Sequence, residues 1–144
     1  MTSLDTVYQD RLLDLAAEIA RDGHEVPSPT AVGSAYSRAC GSRIAVQVAL
    51  DGDRVADYGQ RVEACALGSA AASVVGAAIV GRTVAEVRQA AAEMEAMLTR
   101  GGPPPGGAFA ELAALEPARG FTNRHGSMQL SFKALEKAFR SAGL

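Results

Sequence analysis

Hydrophobic positions follow two different rhythms along this chain. Through residues 4–21, "LDTVYQDRLLDLAAEIAR", Leu4, Val7, Tyr8, Leu12, Leu15 and Ile19 recur at three- and four-residue intervals. That spacing predicts an amphipathic helix with its charged side outward. The helix is expected to stop before "DGHEVPSPT", where Gly23, Pro27 and Pro29 interrupt the pattern. The period then changes to two. "RIAVQVAL" (43–50) and "RVADYGQRV" (54–62) alternate or run apolar, and "DGD" (51–53) separates them. Asp51-Gly52 between two such runs predicts a hairpin, because glycine tolerates the positive φ of a tight turn. Residues 31–37 are read as a third strand.

From Cys65 onward the pattern changes again. "CALGSAAASVVGAAIVG" is small and apolar on nearly every side, which predicts a buried helix starting near Cys65. In "TVAEVRQAAAEMEAMLTR", Thr83 stands three residues before Glu86, a capping-box spacing, and a helix is expected to about Arg100. "GGPPPGG" (101–107) reads as a flexible loop inside one domain, since too little chain follows to fold alone. A short helix is expected over 108–115. A closing amphipathic helix over 124–142 carries Met128, Leu130, Leu135, Ala138 and Phe139. No repeat of 20–50 residues is visible. Element order therefore predicts an α+β fold, with a small antiparallel three-stranded sheet packed against several helices in a single domain spanning 1–144.

Composition narrows the function classes. A formal charge of −2 supplies no electrostatic reason to expect nucleic acid or an anionic membrane as partner. No apolar run approaches the ~20 residues of a membrane-spanning helix. "MTSLDTVYQD" lacks the basic and apolar regions of a signal peptide, so a cytoplasmic protein is expected. In a reducing compartment, two cysteines are expected to be free thiols, ligands or nucleophiles rather than a structural disulfide.

Those cysteines frame the hairpin. Cys40 precedes Gly41 and the first hairpin strand, and Cys65 follows the second. A ribbon that turns back on itself returns to the end where it began, so both sulfurs should emerge on the same side, close enough for air oxidation to join them. A helix starting at Cys65 would place its sulfur beside unpaired backbone N–H groups, a setting that favours the thiolate. The alternative is that both are small buried hydrophobes. A cysteine nucleophile needs a base, and His24 and His125 both lie in loop-like surroundings.

"SRACGSRIAV", "VEACALGSAAASVV" and "RHGSMQLSFKAL", together with "VYQDRLLDL", resemble iron–sulfur cluster assembly scaffolds of the IscU/SufU/NifU N-terminal type. The resemblance covers nearly the whole chain and implies a SufE/NifU-like fold. It matches Cys40 and Cys65 to the family's first two ligand cysteines. Ser42 stands in place of the Asp of Cys-Gly-Asp, and Ser127 in place of the third Cys. Gly126 stands where IscU-type members have a ligand His, and Leu15 where the family's first helix has another His. His125 is the remaining nearby donor, while Arg119 and Arg124 are candidates to face a persulfide or an anionic cluster.

Iron–sulfur clusters and structural zinc want four ligands, and a neutral hydroxyl is a poor one. Two thiols in one subunit cannot close such a site. Three outcomes stay open: two subunits pool four thiolates around one 2Fe–2S cluster, His125 swings in, or the metal is lost. The resemblance accordingly implies a non-enzymatic scaffold or carrier. Its cargo is an iron–sulfur cluster or iron, with zinc as the other metal, and its partners are a cysteine desulfurase and apo iron–sulfur proteins, a homodimer being one of the open forms. The alternative is a metal-free paralogue that acts as an interaction or regulatory module for the desulfurase. A third reading is persulfide transfer through Cys40 or Cys65, weakened by the missing zinc ligands. "GGPPPGG" lacks the Leu-Pro-Pro-Val-Lys-like signature of chaperone recognition.

Overall fold

The computed structural model describes residues 4–144, with side chains from Asp10 onward. The side chains of Leu4, Val7 and Tyr8, part of the expected first amphipathic face, lie outside the described residues. The order is α1 (Leu4–Ala17), β1 (Ala31–Ser37), β2 (Ser42–Asp51), β3 (Arg54–Glu63), α2 (Ala66–Ala78) and α3 (Val84–Arg100). A 3-10 helix (Gly107–Ala118), a 3-10 turn (Thr122–Arg124), α4 (His125–Met128) and α5 (Leu130–Ser141) follow. This is the α+β architecture that the element order predicts.

The three strands form an antiparallel meander in the order β1-β2-β3. Ser37 pairs with Ser42 across the first turn, and Asp51 with Arg54 across the second. Gly41, at φ +67°, closes the first turn, in a left-handed region where an L side chain would be strained. Alternation decides the faces. Ile44, Val46 and Val48 on β2, with Ala31 and Ala35 on β1, point into the core, while Val32 and Tyr36 point out. α5 lays Ala134, Leu135, Ala138 and Phe139 on the inner face, and Met94 and Met97 of α3 complete the core beside them. α2 is buried continuously from Gly68 to Gly76, as its small apolar sequence requires.

The capping box at α3 is present. Glu86 N donates to Thr83 Oγ1 at 3.1 Å and Thr83 N to Glu86 Oε1 at 3.2 Å, which satisfies two N–H groups the helix itself cannot. Arg88 reaches Glu136 with Nε–Oε2 at 2.9 Å, tying α3 to α5.

Three boundaries differ from the periodicity. α1 ends at Ala17 rather than continuing to Arg21, because the next backbone groups bond elsewhere. Ser73 Oγ donates to Glu18 O and accepts from Ala20 N, both at 3.2 Å, and buried Gln60 donates Nε2 to Ala20 O at 2.8 Å. Arg21 then takes a left-handed φ of 61°. The short helix expected over 108–115 is present and longer, a twelve-residue 3-10 helix from Gly107 to Ala118 with Pro117 inside it. The closing helix is broken at Gln129, which separates α4 from α5.

Candidate functional site: a hydroxyl-linked thiol pair

Four segments meet at one end of the sheet: the β1–β2 turn, the start of β2, the start of α2, and α4. Cys40 lies in the turn, and Cys65 is the residue before α2, with extended dihedrals (φ −65°, ψ 171°). Both are free, half-buried thiols. Ser42 opens β2 and Ser127 lies in α4, each only 1% exposed. Hydroxyls that deep must find partners, and these find each other. Ser127 Oγ donates to Ser42 Oγ at 2.9 Å across 85 residues of sequence.

The cysteines attach to either end of that link. Cys40 Sγ lies 3.3 Å from Ser42 Oγ and 3.8 Å from Ser37 Oγ, and Cys65 Sγ lies 3.4 Å from Ser127 Oγ. Cys65 N also donates to Ser42 Oγ at 3.4 Å. Ser42 Oγ therefore touches both cysteine residues, and an unbroken chain runs Cys40–Ser42–Ser127–Cys65. The two sulfurs are on the same side of the molecule, as the hairpin geometry demands.

Close helix packing makes the link. At Gly68, in the first turn of α2, an added Cβ would collide with Ser127 Oγ and approach Ser127 O to 3.2 Å. The absence of a side chain there lets α4 sit against α2 with Ser127 at the thiols. A Cβ at Gly126 would meet Ser37 Oγ at 3.0 Å, so position 126 faces the Cys40 side of the site.

Electrostatics follow from the hydroxyls. Cys40 is lowered from 9.0 to about 6, first by the Ser42 hydroxyl, against partial burial, with Ser127, Ser37 and the Ser42 backbone adding. A thiolate at Cys40 accepts from Ser42, which accepts in turn from Ser127. The proton order is then one-directional, with the Cys65 thiol donating to Ser127. Site-bearing segments 36–43, 64–69 and 119–129 contain Arg38, Arg43, Arg119 and Arg124 and no Asp or Glu. Arg43 is paired with Glu63 at 2.7 Å. Among the described residues, Arg38, Arg119 and Arg124 have no carboxylate within salt-bridge distance. Tyr36 and Phe121, 61% and 59% exposed, belong to the same segments.

The other sequence candidates are placed as follows. His125 Nε2 is 2.6 Å from Arg119 O and is engaged there. His24 Nε2 pairs with Asp57 Oδ1 at 3.0 Å, and Leu15 is in the core. Among the described residues, no group of three or more His, Cys, Asp or Glu side chains is arranged to hold a metal ion. One chain thus presents two thiols and neutral hydroxyls, which do not make a complete cluster site. Ser37 was not singled out from sequence. Its only signal was its position three residues before Cys40, on the inward face of β1.

The chain matches the model of the NifU-like N-terminal domain over residues 7–116, and it belongs to that family. It is similar to the crystal structure of a nitrogen-fixing NifU-like protein (N-terminal) from Brucella abortus. The two are 36% identical, with a TM-score of 0.91 over 97% of this chain and 96% of that one. It also shares its fold with a protein from the thermophile Fervidobacterium islandicum AW-1, described as a candidate iron–sulfur cluster assembly scaffold for the SUF system. There the identity is 20% and the TM-score 0.82, over 94% of this chain and 98% of that one. No curated protein matches it. No helix of the described residues is long and apolar enough to cross a membrane.

Proposed function

We propose that this protein is an iron–sulfur cluster assembly scaffold, in which Cys40 and Cys65 hold iron or a 2Fe–2S cluster as cargo for apo iron–sulfur proteins. Family membership supports the scaffold role. The observation that carries the residue assignment is the convergence of both thiols on one hydroxyl pair, with Cys40 lowered to about 6. Thiolate is the form that binds iron, and the Ser42 hydroxyl beside Cys40 favours it.

Donor count sets the stoichiometry. A cluster wants four thiolates and one chain offers two, so the cluster is shared by two chains. Ser42 then donates to the Cys40 sulfur and Ser127 supports Ser42, neither acting as a ligand, because each hydroxyl is buried and already bonded. Arg38, Arg119 and Arg124, on the segments that carry or flank the thiols and without a carboxylate partner among the described residues, would suit an anionic cluster and the persulfide of a cysteine desulfurase. His125 would join the iron only by giving up Arg119 O.

Anaerobic reconstitution with ferrous iron and sulfide tests this reading. Wild type is expected to colour and retain about one iron per chain, and Cys40→Ala/Cys65→Ala to stay colourless. A wild type that remains colourless and iron-free refutes it.

A second reading is favoured by the same serines. Neutral hydroxyls where the family's Asp and Cys stand suit a metal-free module that regulates the desulfurase. Desulfurase binding that survives loss of both thiols, in a protein that takes up no iron, would select it.

A further inference from the structure

The thiol pair has a second chemistry available that needs no metal. Ser42 Oγ lies 3.3 Å from Cys40 Sγ and 3.4 Å from Cys65 N, so a single atom is in contact with both cysteine residues. Cys40 lies in a short turn that ends at the left-handed Gly41, and both cysteines are half-buried rather than enclosed in the core. A disulfide needs Cα atoms within about 7 Å of each other. Cys40 Sγ and Cys65 N share Ser42 Oγ as a neighbour, so closing the bond would move the 38–41 turn toward the start of α2 and turn the Ser42–Ser127 link aside. The carboxylate nearest in sequence to the thiols, Glu63, is paired with Arg43 at 2.7 Å, so its charge is offset where negative charge builds on sulfur or on a departing oxygen.

We propose that Cys40 and Cys65 form an intramolecular dithiol–disulfide couple, closed by hydroperoxides and reopened by low-molecular-weight thiols. Cys40 reacts first, because it is on the exposed turn and has hydroxyls of Ser42 and Ser37 beside its sulfur, against one beside Cys65. Its thiolate attacks the terminal oxygen of the hydroperoxide. An S–O bond forms and the O–O bond breaks, and the alkoxide leaves and takes up a proton. Sulfur loses two electrons and the peroxide gains them, leaving a sulfenic acid on Cys40. The Cys65 sulfur then attacks Cys40 sulfur; the S–S bond forms, the S–O bond breaks, and hydroxide departs as water with the Cys65 proton. Before closure Ser127 Oγ lies 3.4 Å from the Cys65 sulfur that gives up that proton. Two molecules of small thiol return both cysteines by exchange and leave as their own disulfide.

This inference is independent of the cluster reading, and its test is run without iron. The full chain, reduced and treated with a chelator, is exposed to one equivalent of hydrogen peroxide and measured by intact mass and peptide mapping. The expected result is loss of both thiols together, a mass lower by two hydrogens, a Cys40–Cys65 linked peptide, and a monomer on a non-reducing gel. Glutathione should restore both thiols, and Cys65→Ser should hold a sulfenic acid on Cys40 that dimedone captures. Disulfide-linked dimers, stepwise addition of oxygen without a linked peptide, or an unchanged mass would each overturn the couple. Dimedone labelling of Cys65 in Cys40→Ser, with none on Cys40 in Cys65→Ser, would overturn the order of attack. The wild-type mass needs no variant to fold.

Discussion

Removing one hydroxyl should retune Cys40 without touching a sulfur. Ser42 is the largest cause of the lowered Cys40 value and stands 3.3 Å from its sulfur. A hydrogen bond to a charged group is worth about 1.5–3 kcal/mol, and one pKa unit is about 1.4 kcal/mol. Ser42→Ala should therefore move the Cys40 midpoint up by roughly one to two units from about 6. At pH 7 the thiolate fraction would fall from about nine-tenths to between one half and one tenth, slowing alkylation about two- to tenfold. The assay is iodoacetamide labelling across pH, with the Cys40 peptide quantified separately from the Cys65 peptide by mass spectrometry. The stability sign follows from the same shift. The folded value is depressed below the unfolded 9.0, so the stabilisation is full above pH 9 and is lost as pH falls through about 6. An unchanged midpoint in Ser42→Ala would refute the hydroxyl as cause. A wild-type midpoint near 9 would refute the geometry behind it.

Four more outcomes follow from named contacts. Gly68→Ala should push α4 off α2 through Ser127, costing about 1–3 kcal/mol and lowering Tm by several degrees in thermal denaturation. Gln60→Ala should cost about 2–4 kcal/mol in urea unfolding, because Ala20 O, Ala72 O and Tyr58 Oη lose their partner in a buried setting. Asp57 is held below its ordinary 3.8 by His24 first, and Glu136 below its ordinary 4.5 by Arg88 first. Their stabilising contribution is thus lost as pH falls below about 4, and Asp57→Asn should flatten that part of an acid-unfolding curve. Ser42→Asp/Ser127→Cys should let a single chain retain metal, measured as iron or zinc remaining after gel filtration, because it adds two anionic donors beside the two present.

The parts of the fold written in local pattern were legible. Alternation over 43–50 and 54–62, with Asp51-Gly52 between, specified the hairpin and therefore the end of the sheet at which Cys40 and Cys65 emerge. Thr83 and Glu86 specified the start of α3 for an equally local reason. What stayed hidden depends on partners distant in sequence. α1 stops early because Ser73 and Gln60, more than 35 residues away, bond its trailing backbone groups, and nothing within residues 4–21 signals that. The break at Gln129 turns Ser127 and Met128 inward while α5 begins afresh on the sheet, and the continuous apolar pattern of 124–142 does not show it. At the site, the resemblance pointed to positions 42 and 127 as lost ligands. That the two serines bond each other and lower Cys40 emerges only when β2 and α4 are brought together.

Native mass spectrometry of anaerobically reconstituted protein addresses the central claim most directly, since it counts chains, iron and sulfide in one species. A dimer carrying two iron and two sulfide, absent from Cys40→Ala and from Cys65→Ala, is the predicted result. Iron retained by a monomer, or a dimer that keeps its iron when both cysteines are replaced, would contradict it.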